Sequence, residues 1–202
     1  MTTTPETRRH PYLDAAVQPL ILLGVIWAVQ IVNWIFRYRL NGIFAVEAWS
    51  PEGLIGLITS PLFHASWSHI ISNSVPFVIL GVLIAFEGSR RFWLVTGITA
   101  ISSGLFAWII NAPHTHTVGA SGVVFGYFGY LMVRAFFAPS LGRGILYGVI
   151  ALVVGAVYGA TMFTGIFAAG VHVSWQGHLG GAIGGAIAAY LLRPQRRVVG
   201  TT

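Results

Sequence analysis

Three groups of residues carry side chains suited to covalent chemistry. Ser121 stands in Gly119-Ala120-Ser121-Gly122, and His178 opens His178-Leu179-Gly180-Gly181. His64, His69 and Asn73 follow one another at intervals of five and four. A serine hydroxyl is a poor nucleophile until a neighbouring base takes its proton. Imidazole suits that task because its ordinary pKa lies near neutrality, so it can accept a proton and return it. Asn73 and His69 each offer an N–H donor, one helical turn apart. The sequence holds no Asp or Glu after Glu87; Glu87 is expected far from these groups, and Glu47 and Glu52 are read as interfacial residues of the outer loop. An acid that orients the histidine is therefore not expected, and a two-residue Ser–His pair is. With no Cys in the chain, thiolate nucleophiles and thiolate metal sites are excluded.

The elements that must position these groups are membrane helices. Of 202 residues, 55% are hydrophobic and 8% charged, against about a quarter charged in soluble domains. This sets aside an ordinary soluble enzyme and a disordered chain. Apolar runs fall at 15–36, 68–86, 92–110, 119–137, 144–163 and 177–192. Each is long enough to cross a bilayer, since about 20 residues suffice. The expected fold is an all-α, polytopic six-helix bundle spanning 15–192, with polar tails at 1–14 and 193–202. The first run is too long for a signal-peptide core and is read as a retained span. Between the first two spans, 43–46 and 54–58 are apolar but too short to cross, and suit pieces lying in the interface. The segment 164–175 is expected to be a mobile cap.

The formal net charge is +6, and all eleven cations are Arg. With six crossings, Arg8, Arg9, Arg90, Arg91, Arg134, Arg143, Arg193, Arg196 and Arg197 share one side, and only Arg37 and Arg39 take the other. Basic residues concentrate on the cytoplasmic side, so both termini are expected there, in a multi-pass protein of the cell membrane. The basic balance is thus read as orientation, not as nucleic-acid binding. Of the seven His, all but His10 then fall on the outer side. Ser121, His178, and the His69/Asn73 pair head three different helices at one depth, where ionisable groups are functional by default.

Taken singly, these residues have plainer readings. His114, His116 and His172 suit a water or headgroup interface, and a lone Ser or Asn in a membrane helix commonly bonds to backbone or to a neighbouring helix. The glycines argue for more. Gly119, Gly122, Gly126 and Gly129 form one stripe on the fourth span, and Gly181 and Gly185 share a face with His178 on the sixth. Small residues so spaced let membrane helices approach closely. The fourth and sixth spans are expected to touch, bringing Ser121 within reach of His178. Ser72, Ser74, Ser102 and Ser103 are candidates to line a polar cavity admitting water, with helix-packing hydroxyls the equal alternative.

The chain resembles the rhomboid intramembrane serine proteases. Gly119-Ala120-Ser121-Gly122 is similar to their GxSG nucleophile motif. His178 with Gly181 and Gly185 is similar to their histidine on a glycine-rich last core helix, and His64, His69 and Asn73 to their HxxxxHxxxN motif. The three occur in family order over nearly the whole chain. The resemblance implies a serine endopeptidase that cleaves peptide bonds in or near transmembrane segments of membrane proteins, near the outer face. It implies Ser121 as nucleophile and His178 as general base. His69, Asn73, Ser121 through its N–H, and Gly119 would form the oxyanion site. His64, Gly122, Phe125, Gly181 and Gly185 would support it. Membrane lipid and transmembrane substrates are the expected partners, and neither cofactor nor metal is expected. Phe125 stands where several relatives have Tyr, and its ring can still stack on His178. The Trp-Arg pair common in the family's first loop is not evident.

Two other readings fit parts of the pattern. A rhomboid-like protein that binds membrane clients without cutting them typically lacks the Ser or the His, and both are present here. A transporter or His-only metal site is disfavoured by the absence of an inverted repeat or midplane charge pair, and by the His64–His69 interval, which is not a helical ligand spacing.

Overall fold

The computed structural model describes residues 11–170 and 173–194. His172 and Arg8, Arg9, Arg196 and Arg197 of the tails lie outside the described residues. The described residues form six long helices and several short elements. They are α1 (Pro11–Ile35), the single turn α2 (Asn41–Phe44), α3 (Gly56–Thr59), α4 (Trp67–Ala85), α5 (Ser89–Ile110), α6 (Ser121–Val133), α7 (Leu141–Phe167) and α8 (Trp175–Leu191). Strands β1 (Val46–Glu47) and β2 (His116–Thr117) pair antiparallel, Val46 opposite Thr117 and Glu47 opposite His116. Among the described residues, four helices are long and apolar enough to cross a membrane: α1 from Asp14, α4, α5 and α7. The shorter α6 continues into a 3₁₀ turn over Arg134–Phe137.

The helix ends follow from local chemistry. Ser66, in extended backbone, accepts the His69 N–H at 3.1 Å and so caps α4; Ser174 caps α8 by accepting from the Gly177 N–H at 3.1 Å. Helix α6 begins at Ser121, two residues later than the apolar run, because Gly119 sits at φ +127° and cannot be helical. Helix α7 extends beyond the expected end of its span. Thr164–Phe167 are its last turn, so the segment expected to be a cap is helical in its first part.

The packing is that of a protein in an apolar solvent. Large hydrophobic side chains cover the outside, among them Leu152, Val153 and Val157 on α7. The buried core gathers α4, α5 and α6 around Phe77, Phe92, Tyr127 and Tyr130. Tyr127 satisfies its hydroxyl on Thr96 Oγ1 at 2.7 Å, as a buried phenol requires. Helix α8 runs along both α5 and α6. The segment between α1 and α4 packs back on the bundle: Leu57 lies against Gly104 of α5, and Thr59 donates to the Phe44 carbonyl at 2.7 Å. Its Ile43, Ile55 and Ile58 stay exposed, in keeping with a segment lying in an interface.

The end of the bundle opposite Ser121 holds a network centred on Glu87. Its carboxylate accepts from Arg134 Nε at 2.8 Å, Arg91 at 2.9 Å, Tyr130 at 3.0 Å and Tyr147 at 3.2 Å. Arg134 is 2% exposed. It is an internal ion-pair partner, not a solvated loop charge, and it ties α6 to α4 and α7 around one carboxylate.

Candidate active site

The site is built where α6, α8, α4 and α7 converge. Helices α6 and α8 meet backbone to backbone. A Cβ on Gly181 would collide with the Gly122 carbonyl oxygen, and one on Gly185 with that of Gly126. Gly122 itself has Ser103 Oγ where a Cβ would stand. This contact brings the Ser121 hydroxyl to 2.8 Å from His178 Nε2. The Phe125 ring, one turn after Ser121, stacks on the imidazole at 4.0 Å between centroids and 8° between planes. His178 is 7% exposed, and its Nδ1 lies 2.8 Å from the Gly165 carbonyl oxygen on α7.

The residues before Ser121 are held by the segment that precedes α4. The Gly119 N–H donates to the Ser60 carbonyl at 2.9 Å, and the Ala120 N–H to His64 Nε2 at 3.3 Å. Gly119 thus has no free N–H to offer a ligand. Its function is spatial: a Cβ there would stand 2.6 Å from His69 Cε1. Burial, with His69 adding to it, pushes His64 down to about 3. It is therefore neutral, as an imidazole that accepts from an amide must be. The Ser121 N–H differs from its two predecessors: at the first position of α6 it has no intrahelical acceptor.

A cavity of about 1050 Å³ opens beside the Ser121–His178 contact. His69 and Asn73 line it from one face of α4, and Ser72 and Ser103 add hydroxyls. Asn73 is 8% exposed, and its Nδ2 has no acceptor among the described residues. The other serines serve packing: Ser102 donates to the Gly180 carbonyl at 2.7 Å, and Ser74 accepts from Trp27 Nε1 at 3.1 Å. His114 and His116 stand away from this contact, facing Glu47 at 2.8 and 3.9 Å across the β1–β2 ribbon. The Gly165 carbonyl and the Glu87 network escape sequence reading. A backbone acceptor carries no residue-type signal, and Arg134 reads as an ordinary loop-flanking cation.

Such a molecule, with apolar exterior helices and at one end a cavity into which a few polar side chains reach, is a multi-pass membrane protein. Its Rhomboid domain, matched over residues 51–195, places the chain in the rhomboid family. It is 34% identical to the uncharacterized protein Rv1337 of Mycobacterium tuberculosis, over 96% of this chain and 82% of the relative. It is 34% identical to the uncharacterized protein ML1171 of Mycobacterium leprae, over 96% of this chain and 79% of the relative. It is 29% identical to rhomboid-like protein 11, chloroplastic, of Arabidopsis thaliana, over 52% of this chain and 40% of the relative.

Proposed function

We propose that the protein is an intramembrane serine endopeptidase acting on peptide bonds in or near transmembrane segments of other membrane proteins. The observation that carries this is the 2.8 Å approach of Ser121 Oγ to His178 Nε2 across two helices. In the proposed reaction, Ser121 Oγ attacks the scissile carbonyl carbon as His178 Nε2 takes its proton. The resulting oxyanion sits among the Ser121 N–H, Asn73 Nδ2 and the His69 ring. The C–N bond then breaks as His178 returns the proton to the leaving amine. Water from the cavity, deprotonated by the same imidazole, hydrolyses the acyl-enzyme and frees Ser121. Removing one oxyanion donor from a soluble hydrolase costs about 2.7–4 kcal/mol of transition-state stabilisation, and an apolar surround makes such donors count at least as much.

Residues 15–192 form the membrane domain in this reading, and the tails 1–14 and 193–202 are cytoplasmic. The arginine asymmetry then sets the site near the outer face. A substrate helix hides its carbonyls in its own hydrogen bonds, so the cut stretch must unwind, which favours Gly or Pro near it. The non-cleaving alternative is opposed by the presence and close contact of both Ser121 and His178. The test is cleavage of single-span substrates in proteoliposomes. Ser121→Ala and His178→Ala are each expected to lower turnover by about 10⁴-fold or more. A fluorophosphonate should label wild type and not Ser121→Ala. Substantial proteolysis by either variant refutes the pair, and an inert wild type favours the client-binding reading.

A further inference from the structure

In soluble serine hydrolases a buried carboxylate holds the histidine in the useful tautomer. Here Glu47, Glu52 and Glu87 make no contact with His178, yet its Nδ1 is not without a partner. It lies 2.8 Å from the backbone carbonyl oxygen of Gly165, in the last turn of α7. A carbonyl can only accept, so Nδ1 carries the proton and Nε2 presents its lone pair to the Ser121 hydroxyl. The last carbonyls of a helix lack intrahelical donors and form the negative end of its dipole. Gly165 thus offers the imidazole an acceptor that the helix itself does not use, at a place that also favours a transient imidazolium.

The residue type at 165 follows from the same geometry. A Cβ there would stand 2.5 Å from Phe125 Cζ and 3.4 Å from His178 Nδ1. Gly165, Phe125 and His178 are one packed unit drawn from three helices. Helix α7 is otherwise lightly held: its buried residues are Val154 and Met162, and Tyr147 ties its far end to Glu87 at 3.2 Å.

We infer, building on the Ser121–His178 reading, that the Gly165 carbonyl is the positioning group for the general base, so that the seating of α7 decides whether His178 can act. Displacing the Gly165 end of α7 removes the acceptor from Nδ1 and lets the ring exchange tautomers. The hydroxyl of Ser121 then loses its base although both side chains remain. Helix α7 is in this way a switch for the reaction as well as a wall of the cavity.

The test weakens that one carbonyl in the full-length protein. Replacing Ile166 by its α-hydroxy acid turns the Gly165 carbonyl into an ester carbonyl, a poorer acceptor. The same replacement at the exposed Phe167 also removes one helical N–H but leaves the Gly165 carbonyl an amide. In proteoliposomes the 166 ester should lower kcat about tenfold with KM nearly unchanged, and slow fluorophosphonate labelling in parallel, while the 167 ester stays near wild type. In ¹⁵N-histidine samples, His178 of the wild type should show a protonated Nδ1 and an unprotonated Nε2. The 166 ester should move both resonances toward a tautomer average. Equal kcat for the two esters, or a wild-type His178 protonated on Nε2, overturns the positioning role. A wild type that neither cleaves nor labels defeats the Ser–His reading itself, and the positioning role with it.

Discussion

Gly181 stands against the carbonyl of Gly122 with no room for a side chain between them. Gly122 follows Ser121 directly, and Gly181 lies one turn after His178. The backbone contact therefore sets the reach from hydroxyl to imidazole. Gly185 against Gly126 repeats it one turn further down, so α6 and α8 are locked in register along their length. Gly181→Val is expected to force the helices apart, destabilise the fold by about 1–3 kcal/mol or more, and remove cleavage. Gly24→Ala, in open space on α1, should leave both nearly unchanged. Unfolding in mixed micelles and the proteoliposome assay measure the two effects.

Phe125 lies flat on His178 at 4.0 Å. Truncation of a buried Phe costs about 3–5 kcal/mol, of which a stacked pair accounts for about 0.5–1.5 kcal/mol. Phe125→Ala is expected to lower both stability and kcat, because the ring also fills the gap beside Gly165. Phe125→Leu should recover most of the stability and less of the kcat. If Leu restored kcat fully, the flat ring would have no orienting role.

His64 links stability to pH. Its ordinary pKa of 6.5 falls to about 3 in the folded protein. Between these values the unfolded chain binds the proton and the folded one does not, so stability rises with pH across that window. The contribution is complete above about pH 6.5 and is lost as the pH falls toward 3, by at most about 1.4 kcal/mol per unit. His64→Gln keeps an acceptor for the Ala120 N–H and does not titrate. Its stability, followed by unfolding between pH 4 and 7, should depend less on pH than that of wild type.

At the far end, Glu87 accepts four donors, two of them arginine. Glu87→Ala leaves Arg134 buried without its partner, and breaking such a pair costs about 3–5 kcal/mol. A large loss of stability is expected. At temperatures where the variant remains folded, kcat should stay within about threefold of wild type, because the site is at the opposite end of the bundle. A fall of kcat at full folding would instead couple the two ends through α7.

Much of this was legible in the residues. Apolar runs separated by polar connections, with nine of the eleven arginines on the tails and alternate connections, define six helices, because hydrocarbon admits only segments that satisfy their own backbone. The spacing of Gly122 and Gly126, and of Gly181 and Gly185, marks two seams, since only small residues allow so close an approach. The absence of any acid beyond Glu87 predicts a histidine without a carboxylate.

What the sequence could not hold is what backbone atoms do after the chain folds. The carbonyl of Gly165 meets His178, and those of Ser60 and Gly122 meet Gly119 and Gly181, through helix ends and registers that no residue type announces. Arg134 reads as a loop charge until packing buries it on Glu87. Side-chain chemistry and helical period are local properties, and local sequence determines them. Which orphaned carbonyl faces which imidazole depends on where distant helices stop, and only the assembled bundle decides that.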